Sequence, residues 1–361
     1  MDNVSFYSLT LGHLKDHFLQ NNVKPFHAQT VFTEIYKKLN FNFQKSDFDT
    51  PLITDALGVF DFSLPKIVRE QNAKDGTTKF LLEMKDGLKV ETVLIPFHKR
   101  FTVCLSSQVG CAMNCSFCYT GTQGLKRNLL AQEIIGQYLV AWQWLIQNRP
   151  EKSVCPNIVF MGQGEPLHNF DEVKKAIDIM LTTEGLHLGP RQITLSTAGY
   201  LPGIERLNEM ARVNIALSLH SPTNSVRNEL IPLNRSYNIE TVLNALGKIP
   251  LLKRQFVNFE YLLIKDLNNS SEDAVKLATL LQGKKAIVNL IPFNEFPDSP
   301  YKRPSVESID RFKLILEENG IPTTVRTTKG DDILAACGQL KVLDEITQAK
   351  KLRDEKNKNN L

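Results

Sequence analysis

The sequence has no run approaching the roughly 18 apolar residues that a helix needs to cross a bilayer. Its amino terminus, MDNVSFYSLTLGHL, lacks a basic segment followed by an apolar one. No secretory leader is therefore read there, and a cytoplasmic protein with no membrane partner is expected. No strong excess of one charge is present either: 43 Lys and Arg against 39 Asp and Glu leave a net +4. That balance permits an anionic partner without demanding one, so any nucleic-acid partner has to be argued from local features. There is no fixed-period repeat, and the one biased stretch is the charged tail KKLRDEKNKNNL, read as a solvated helix end.

What is present describes a globular chain. Hydrophobic residues at 42% and charged residues at 23% exclude a mainly disordered or fibrous polypeptide. At 361 residues a single core stops growing, so a main body with a smaller appendage is expected. LTLGHLKDHFL and FHAQTVFTEIYKKL carry helical spacing through about residue 70, which predicts a helical accessory domain over 1–75. TTKFLLEM and VETVLIP, broken by KDG and FHKR, predict a short β meander over 76–100. From residue 101 strands alternate with amphipathic stretches: FTVCLSS, NIVFMG, RQITLST, VNIALSL, NFEYLLI, AIVNLIP and PTTVRTT. This pattern predicts an α/β body over 101–345, a parallel sheet curled into a partial (β/α)6-type barrel, with the charged tail over 346–361.

The densest chemistry lies in VGCAMNCSFCYTG, where Cys111, Cys115 and Cys118 form CxxxCxxC directly after the strand FTVCLSS. That is the first strand-to-helix loop of the body, on the face where barrel enzymes build active sites. In a reducing compartment clustered cysteines read as metal-binding or catalytic. Three thiolates hold three irons of a 4Fe-4S cluster and leave the fourth iron open, whereas a structural zinc site closes with four ligands. Zinc with a distant fourth ligand such as His220, or a chance group of buried cysteines, stands as the alternative. With the aromatic Phe117 before the last cysteine, the pattern resembles the radical SAM superfamily. The resemblance implies one 4Fe-4S cluster whose open iron binds S-adenosylmethionine (SAM) and reduces it to a 5′-deoxyadenosyl radical.

Later loops supply candidates for holding SAM. MGQGEPLHN follows the second body strand; Gly162 and Gly164 would let the backbone approach the methionine part, and Glu165 would accept from its ammonium group. Ser196 in LSTAG, Ser218, Leu219 and His220 in LSLHS, and Asn294 in IPFNEFP belong to the carboxyl ends of their strands.

CLSSQVGCAMNCSFCYTGTQGLKRNL, FMGQGEPLHN, ITLSTAG, ALSLHSP, NLIPFNEFP and VRTTKGDDILAACGQL together resemble the RlmN and Cfr family of radical SAM RNA methyltransferases, over about residues 75 to 345. The resemblance implies that Cys337 takes a methyl group from one SAM and that a second SAM yields the radical. Hydrogen is then removed from the methylthio group, and the carbon radical adds to adenine. It also implies Glu91 as the base and Cys104 as the second thiol, which closes a transient disulfide with Cys337. From the residues alone, Cys104 reads more readily as a buried apolar side chain and Glu91 as a surface charge. RNL, GEPLHN and IPFNEFP resemble the RlmN type, which methylates carbon 2, more than the Cfr type, which methylates carbon 8. The implied partners are an adenosine in the peptidyl-transferase region of 23S rRNA, adenosine 37 of tRNA, and an electron donor such as flavodoxin. The implied enzyme is a monomer.

Lys126, Arg127, His98 to Arg100 and the lysines of the amino-terminal helices are candidates for phosphate contact. Gln163 stands where the family usually has Met, and Tyr119 where it has a small residue; the first is expected beside the cofactor. Cys155 is given no role. Two rival classes remain: a non-catalytic RNA-binding protein holding zinc, and a radical SAM enzyme acting on a small molecule or peptide.

Overall fold

The computed structural model describes residues 3–40, 50–97, 100–152 and 154–342. The charged tail, together with His98 and Lys99 among the expected phosphate contacts, lies outside them. The chain opens with β1 (Val4–Ser5), α1 (Leu11–Gln20), α2 (His27–Phe32, continued by one wide turn Thr33–Lys37), α3 (Pro51–Leu57) and β2 (Phe60–Asp61). Thr10 starts α1 by accepting the His13 N–H at 3.2 Å, and Thr50 caps α3 by accepting from Ile53. Phe6, Tyr7, Phe32, Tyr36 and Phe62 pack these helices together, and their core is continuous with that of the barrel.

Three antiparallel strands follow, β3 (Lys66–Asn72), β4 (Thr78–Glu83) and β5 (Lys89–Phe97), and then β6 (Arg100–Cys104) begins the parallel part. The strand β3 lies in residues whose spacing was read as helical. KIVREQN is an edge strand exposed along most of its length, so neither face imposes the alternation that marks a strand in sequence.

Beyond β6 come the small hairpin β7 (Gln108–Gly110) and β8 (Leu125–Asn128), α4 (Ala131–Asn148), β9 (Asn157–Phe160), α5 (Phe170–Leu181), β10 (Ile193–Thr197), α6 (Leu201–Glu205) and β11 (Asn214–Ser218). The body is completed by α7 (Asn224–Leu230), α8 (Ile239–Gly247), β12 (Val257–Leu263), α9 (Ser271–Leu281), β13 (Ala286–Pro292), α10 (Val306–Glu318) and β14 (Thr323–Val325). One ten-stranded sheet runs β14-β13-β12-β11-β10-β9-β6-β5-β4-β3, parallel from β14 to β6 and unclosed at its ends. This is the expected partial barrel, α/β in class. Parallel strands joined by helices all send their carboxyl ends to one rim, so the loops after them converge there. Among the described residues, no helix is long and apolar enough to cross a membrane.

Candidate active site

The hairpin of β7 and β8 frames the cysteine loop. Cys111 donates its N–H to the Gly124 carbonyl at 3.0 Å, the Cys118 N–H closes a turn on Cys115, and Ser116 ties the loop to the carboxyl end of α7 through the Leu230 carbonyl. All three thiols line one cavity of about 900 Å³, mouth included, at the carboxyl ends of the strands. Burial pushes the Cys111 thiol up to about 12, opposed by the Met113 N–H that points at its sulfur from 3.5 Å. The same desolvation raises Cys115 and Cys118. Phe117, the aromatic of the motif, stands edge-on to the His220 ring at 4.7 Å.

The donor set fits a cluster better than zinc. His220, the proposed fourth zinc ligand, accepts the Leu262 N–H on Nδ1 at 3.1 Å, and burial lowers it to about 3. Among the described residues, no three His, Cys, Asp or Glu side chains converge on a single ion position. A four-iron cluster spreads its thiolates over separate irons and needs no such convergence.

Gly162, Gly164, Glu165, Ser196, Ser218 and His220 line the same cavity. The two glycines serve the chain as well as any ligand. A Cβ on Gly162 would stand 2.7 Å from the Leu105 carbonyl, and one on Gly164, at φ +104, 2.6 Å from Gln108 Cβ. They let this loop press onto the segment after β6. Glu165 accepts the Leu167 N–H on one oxygen and the Ala198 N–H, at 2.7 Å, on the other; burial nevertheless raises it to about 7.

Leu219 is not brought to the cavity. Its side chain is fully buried in the core, its N–H goes to the Glu260 carbonyl and its own carbonyl accepts from Arg227. Asn294 lies in an adjoining recess, where its Nδ2 donates to the Cys337 carbonyl at 3.2 Å.

That recess is lined by Cys104, Ile95, Met161, Arg326, Ala335 and Cys337, among others; Met161, Arg326 and Cys337 line the thiol cavity too. Cys337 thus sits at the junction of the two spaces. It is carried on a strap, residues 330–342, fastened at several points. Tyr119 N–H donates to the Gly338 carbonyl at 2.7 Å, Thr120 Oγ1 to Leu340, Gln123 Nε2 to Val342, and Gln339 Nε2 to the Glu295 carbonyl and Asp331. Cys104 is buried and its thiol is pushed up to about 12, first by desolvation and then by the neighbouring Cys337, with Arg326 opposing. All six cysteines are free thiols.

Glu91 is not a surface charge: it is 5% exposed and paired with Lys79 at 2.9 Å. Gln163, expected beside the cofactor, turns the other way. Its Oε1 accepts the Glu91 N–H at 3.0 Å and its Nε2 donates to Gln123. Tyr119 stacks on Phe296 beneath Lys341, at the strap. Arg127, read as a candidate for phosphate, is engaged with Glu133 and Asp86. Cys155 lies within 3.0 Å of the Tyr138 hydroxyl, remote from the cavity.

Sequence reasoning missed three charged residues. Glu260 and Arg326 line the cavity; a glutamate inside the apolar run NFEYLLI was the available signal for the first. Arg227, 1% exposed, donates to the carbonyls of Leu219, Ala198 and Ser218 and to Asn234 Oδ1, binding the ends of β10 and β11 together.

An open parallel barrel with three thiols in its first strand-to-helix loop is the architecture of a radical SAM protein, and residues 105–278 match the model of the Radical SAM superfamily. The chain is 47% identical over 293 residues to the dual-specificity RNA methyltransferase RlmN of Paracoccus denitrificans (strain Pd 1222), covering 79% of this chain and 75% of that one. It is 44% identical over 345 residues to the protein of that name from Francisella tularensis subsp. novicida (strain U112), covering 94% and 93%. A solved radical SAM methyltransferase from Sphaerobacter thermophilus superposes with a TM-score of 0.87 at 40% identity, over 94% of this chain and 99% of the other. The chain belongs to the RlmN family of radical SAM RNA methyltransferases.

Proposed function

We propose that this enzyme methylates carbon 2 of an adenosine in the peptidyl-transferase region of 23S rRNA, and adenosine 37 of tRNA, through a methylated cysteine and a covalent protein–RNA intermediate. The observation that carries the reading is the position of Cys337 between the three-thiol cavity and the recess holding Cys104. Carbon 2 of adenine is electron-poor and does not attack a sulfonium methyl group, so the carbon has to arrive as a radical. Cys111, Cys115 and Cys118 would hold a 4Fe-4S cluster, which together with SAM would supply the methyl group and the hydrogen-abstracting radical, at two SAM per turnover.

The chain's own residues do the rest. Glu165, Ser196, Ser218 and His220 orient SAM, with His220 held neutral by its burial. Asn294 fixes the backbone at Cys337, whose sulfur receives the methyl group and carries it to the ring. Glu91 takes the proton from the substituted ring carbon, and the unpaired electron that radical addition leaves on the ring would return to the cluster, so that the adduct is closed-shell before the thiol attacks. Cys104 attacks the Cys337 sulfur, the bond from that sulfur to the bridging carbon breaks, and the carbon keeps the electron pair and gains a proton. A methyl group is left on adenine and a Cys104–Cys337 disulfide on the protein, to be reduced before the next cycle. An electron donor such as flavodoxin feeds the cluster, residues 1–75 help hold RNA, and the enzyme works as a cytoplasmic monomer.

The test is anaerobic incubation with protein-free rRNA and methyl-deuterated SAM, followed by nucleoside mass spectrometry. Two deuteriums in 2-methyladenosine are expected; three would contradict the methylene route, and 8-methyladenosine the choice of carbon.

A further inference from the structure

The buried ion pair between Lys79 on β4 and Glu91 on β5 is not used by the reaction as described. Both side chains are 7% exposed, and the ammonium stands 2.9 Å from Glu91 Oε1. An ion pair this deep costs desolvation on both partners and gives little net stability, so its presence calls for another reason. Lys79 Nζ makes a second bond, to the Leu334 carbonyl at 3.1 Å, at the root of the strap that carries Cys337. Leu334 itself is held at φ +53, so that carbonyl is aimed by an uncommon backbone conformation. The other Glu91 oxygen, Oε2, is buried and has no hydrogen-bond partner among the described residues. One oxygen is thus gripped by a cation, and the other keeps free lone pairs, the arrangement a proton acceptor needs. Glu91 shares its face of β5 with Val93 and Ile95, which pack against Cys104, Ala335 and Leu340. The Glu91 side chain therefore belongs to the face of β5 that packs against Cys104 and the strap.

We infer that Lys79 is a positioning residue for proton removal: it holds Glu91 as the carboxylate inside the barrel wall and links it, through Leu334, to the strap bearing Cys337. The inference rests on Glu91 being the base. Burial pushes the Glu91 carboxyl up; Lys79 opposes this most strongly, with the Lys341 backbone N–H and Arg69 on β3 also favouring the anion. Gln163 adds a neutral contact to the Glu91 backbone. Removing the ammonium leaves the desolvation uncompensated, which moves the carboxyl further toward its protonated form, the form that cannot accept a proton from the ring.

The test compares native, Lys79→Met, Lys79→Arg and Glu91→Gln holoenzymes for decay of the covalent protein–RNA adduct, read on denaturing gels between about pH 6 and 9. Methylation of Cys337, read by mass spectrometry on the same preparations, reports that each variant is folded and loaded. Lys79→Met is expected to methylate Cys337 normally, to accumulate adduct, and to resolve it at least about tenfold more slowly at neutral pH, recovering as pH rises. Lys79→Arg restores the native profile. Native decay with an unshifted pH profile in Lys79→Met overturns the inference while Glu91→Gln still stalls; normal decay in Glu91→Gln overturns the assignment of the base instead. If Lys79→Met does not fold, Lys79→Gln, which keeps a donor for Leu334 without the charge, gives the same two readings.

Discussion

Replacing Arg227 by Met tests whether the cavity rim is held by one side chain. The guanidinium donates four bonds: to Leu219 at 3.0 Å and Asn234 at 2.6 Å, both buried, and to Ala198 at 2.7 Å and Ser218 at 3.0 Å, both partly buried. Orphaning the two buried acceptors costs about 1–3 kcal/mol each, and the two that water reaches about 0.5–1 kcal/mol each, roughly 3–8 kcal/mol together. Against this, burial holds the guanidinium down to about 10. That is a strain of about 3 kcal/mol, which deletion of the charge relieves. The difference spans about 0–5 kcal/mol and centres on a loss of about 2–3 kcal/mol in unfolding free energy, read from urea midpoints of the loaded enzyme. Ala198 and Ser218 line the cavity as well, so SAM affinity, measured by equilibrium dialysis, is expected to fall at least about tenfold. Arg227→Lys keeps the charge but not the fork, and should recover only part of either loss. An Arg227→Met protein within about 0.5 kcal/mol of native, binding SAM normally, would refute the view that this network shapes the rim.

Gly164→Ala puts a Cβ 2.6 Å from Gln108 Cβ at φ +104; a loss of about 2–4 kcal/mol in stability and weaker SAM binding are expected, measured by urea unfolding and dialysis. His220 is held near 3 by burial, so the unfolded chain takes up a proton below about pH 6.5 that the folded one refuses, and stability present above that pH is lost on acidification. Between pH 7 and 5 the loss is about 2 kcal/mol. Glu165, raised to about 7, acts with the opposite sign in that window, so the comparison is native against His220→Gln by urea unfolding at both pH values, and equal slopes would reject it. Cys337→Ala is expected to abolish 2-methyladenosine in RNA from cells carrying the gene while leaving the iron content of the protein unchanged, as judged by nucleoside mass spectrometry and metal analysis.

The parallel barrel was legible because strands buried on both faces read as apolar runs, and the cysteine loop because its spacing is tied to one short turn. The edge strand β3 was not, since KIVREQN has no buried face to impose a period. Among the residues lining the cavity, those clustered in one loop stand out in the sequence. Glu260, Arg326 and Arg227 were missed because their roles depend on contacts between strands far apart in the chain, which no local pattern records. Leu219 was read together with its neighbours Ser218 and His220, and alternation sends its side chain to the opposite face, into the core. Gln163 was misjudged for a related reason: its backbone bends around the cavity while its amide points behind it, to Glu91.

The ring of strands never joins end to end. A sealed cylinder would admit only what slides in from above, which favours small molecules and free tips. Here the seam between β14 and β3 is crossed instead by the strap, whose Asp332 accepts the Lys74 N–H and whose Gly330 donates to Asp75, so the segment bearing Cys337 doubles as the clasp of the wall.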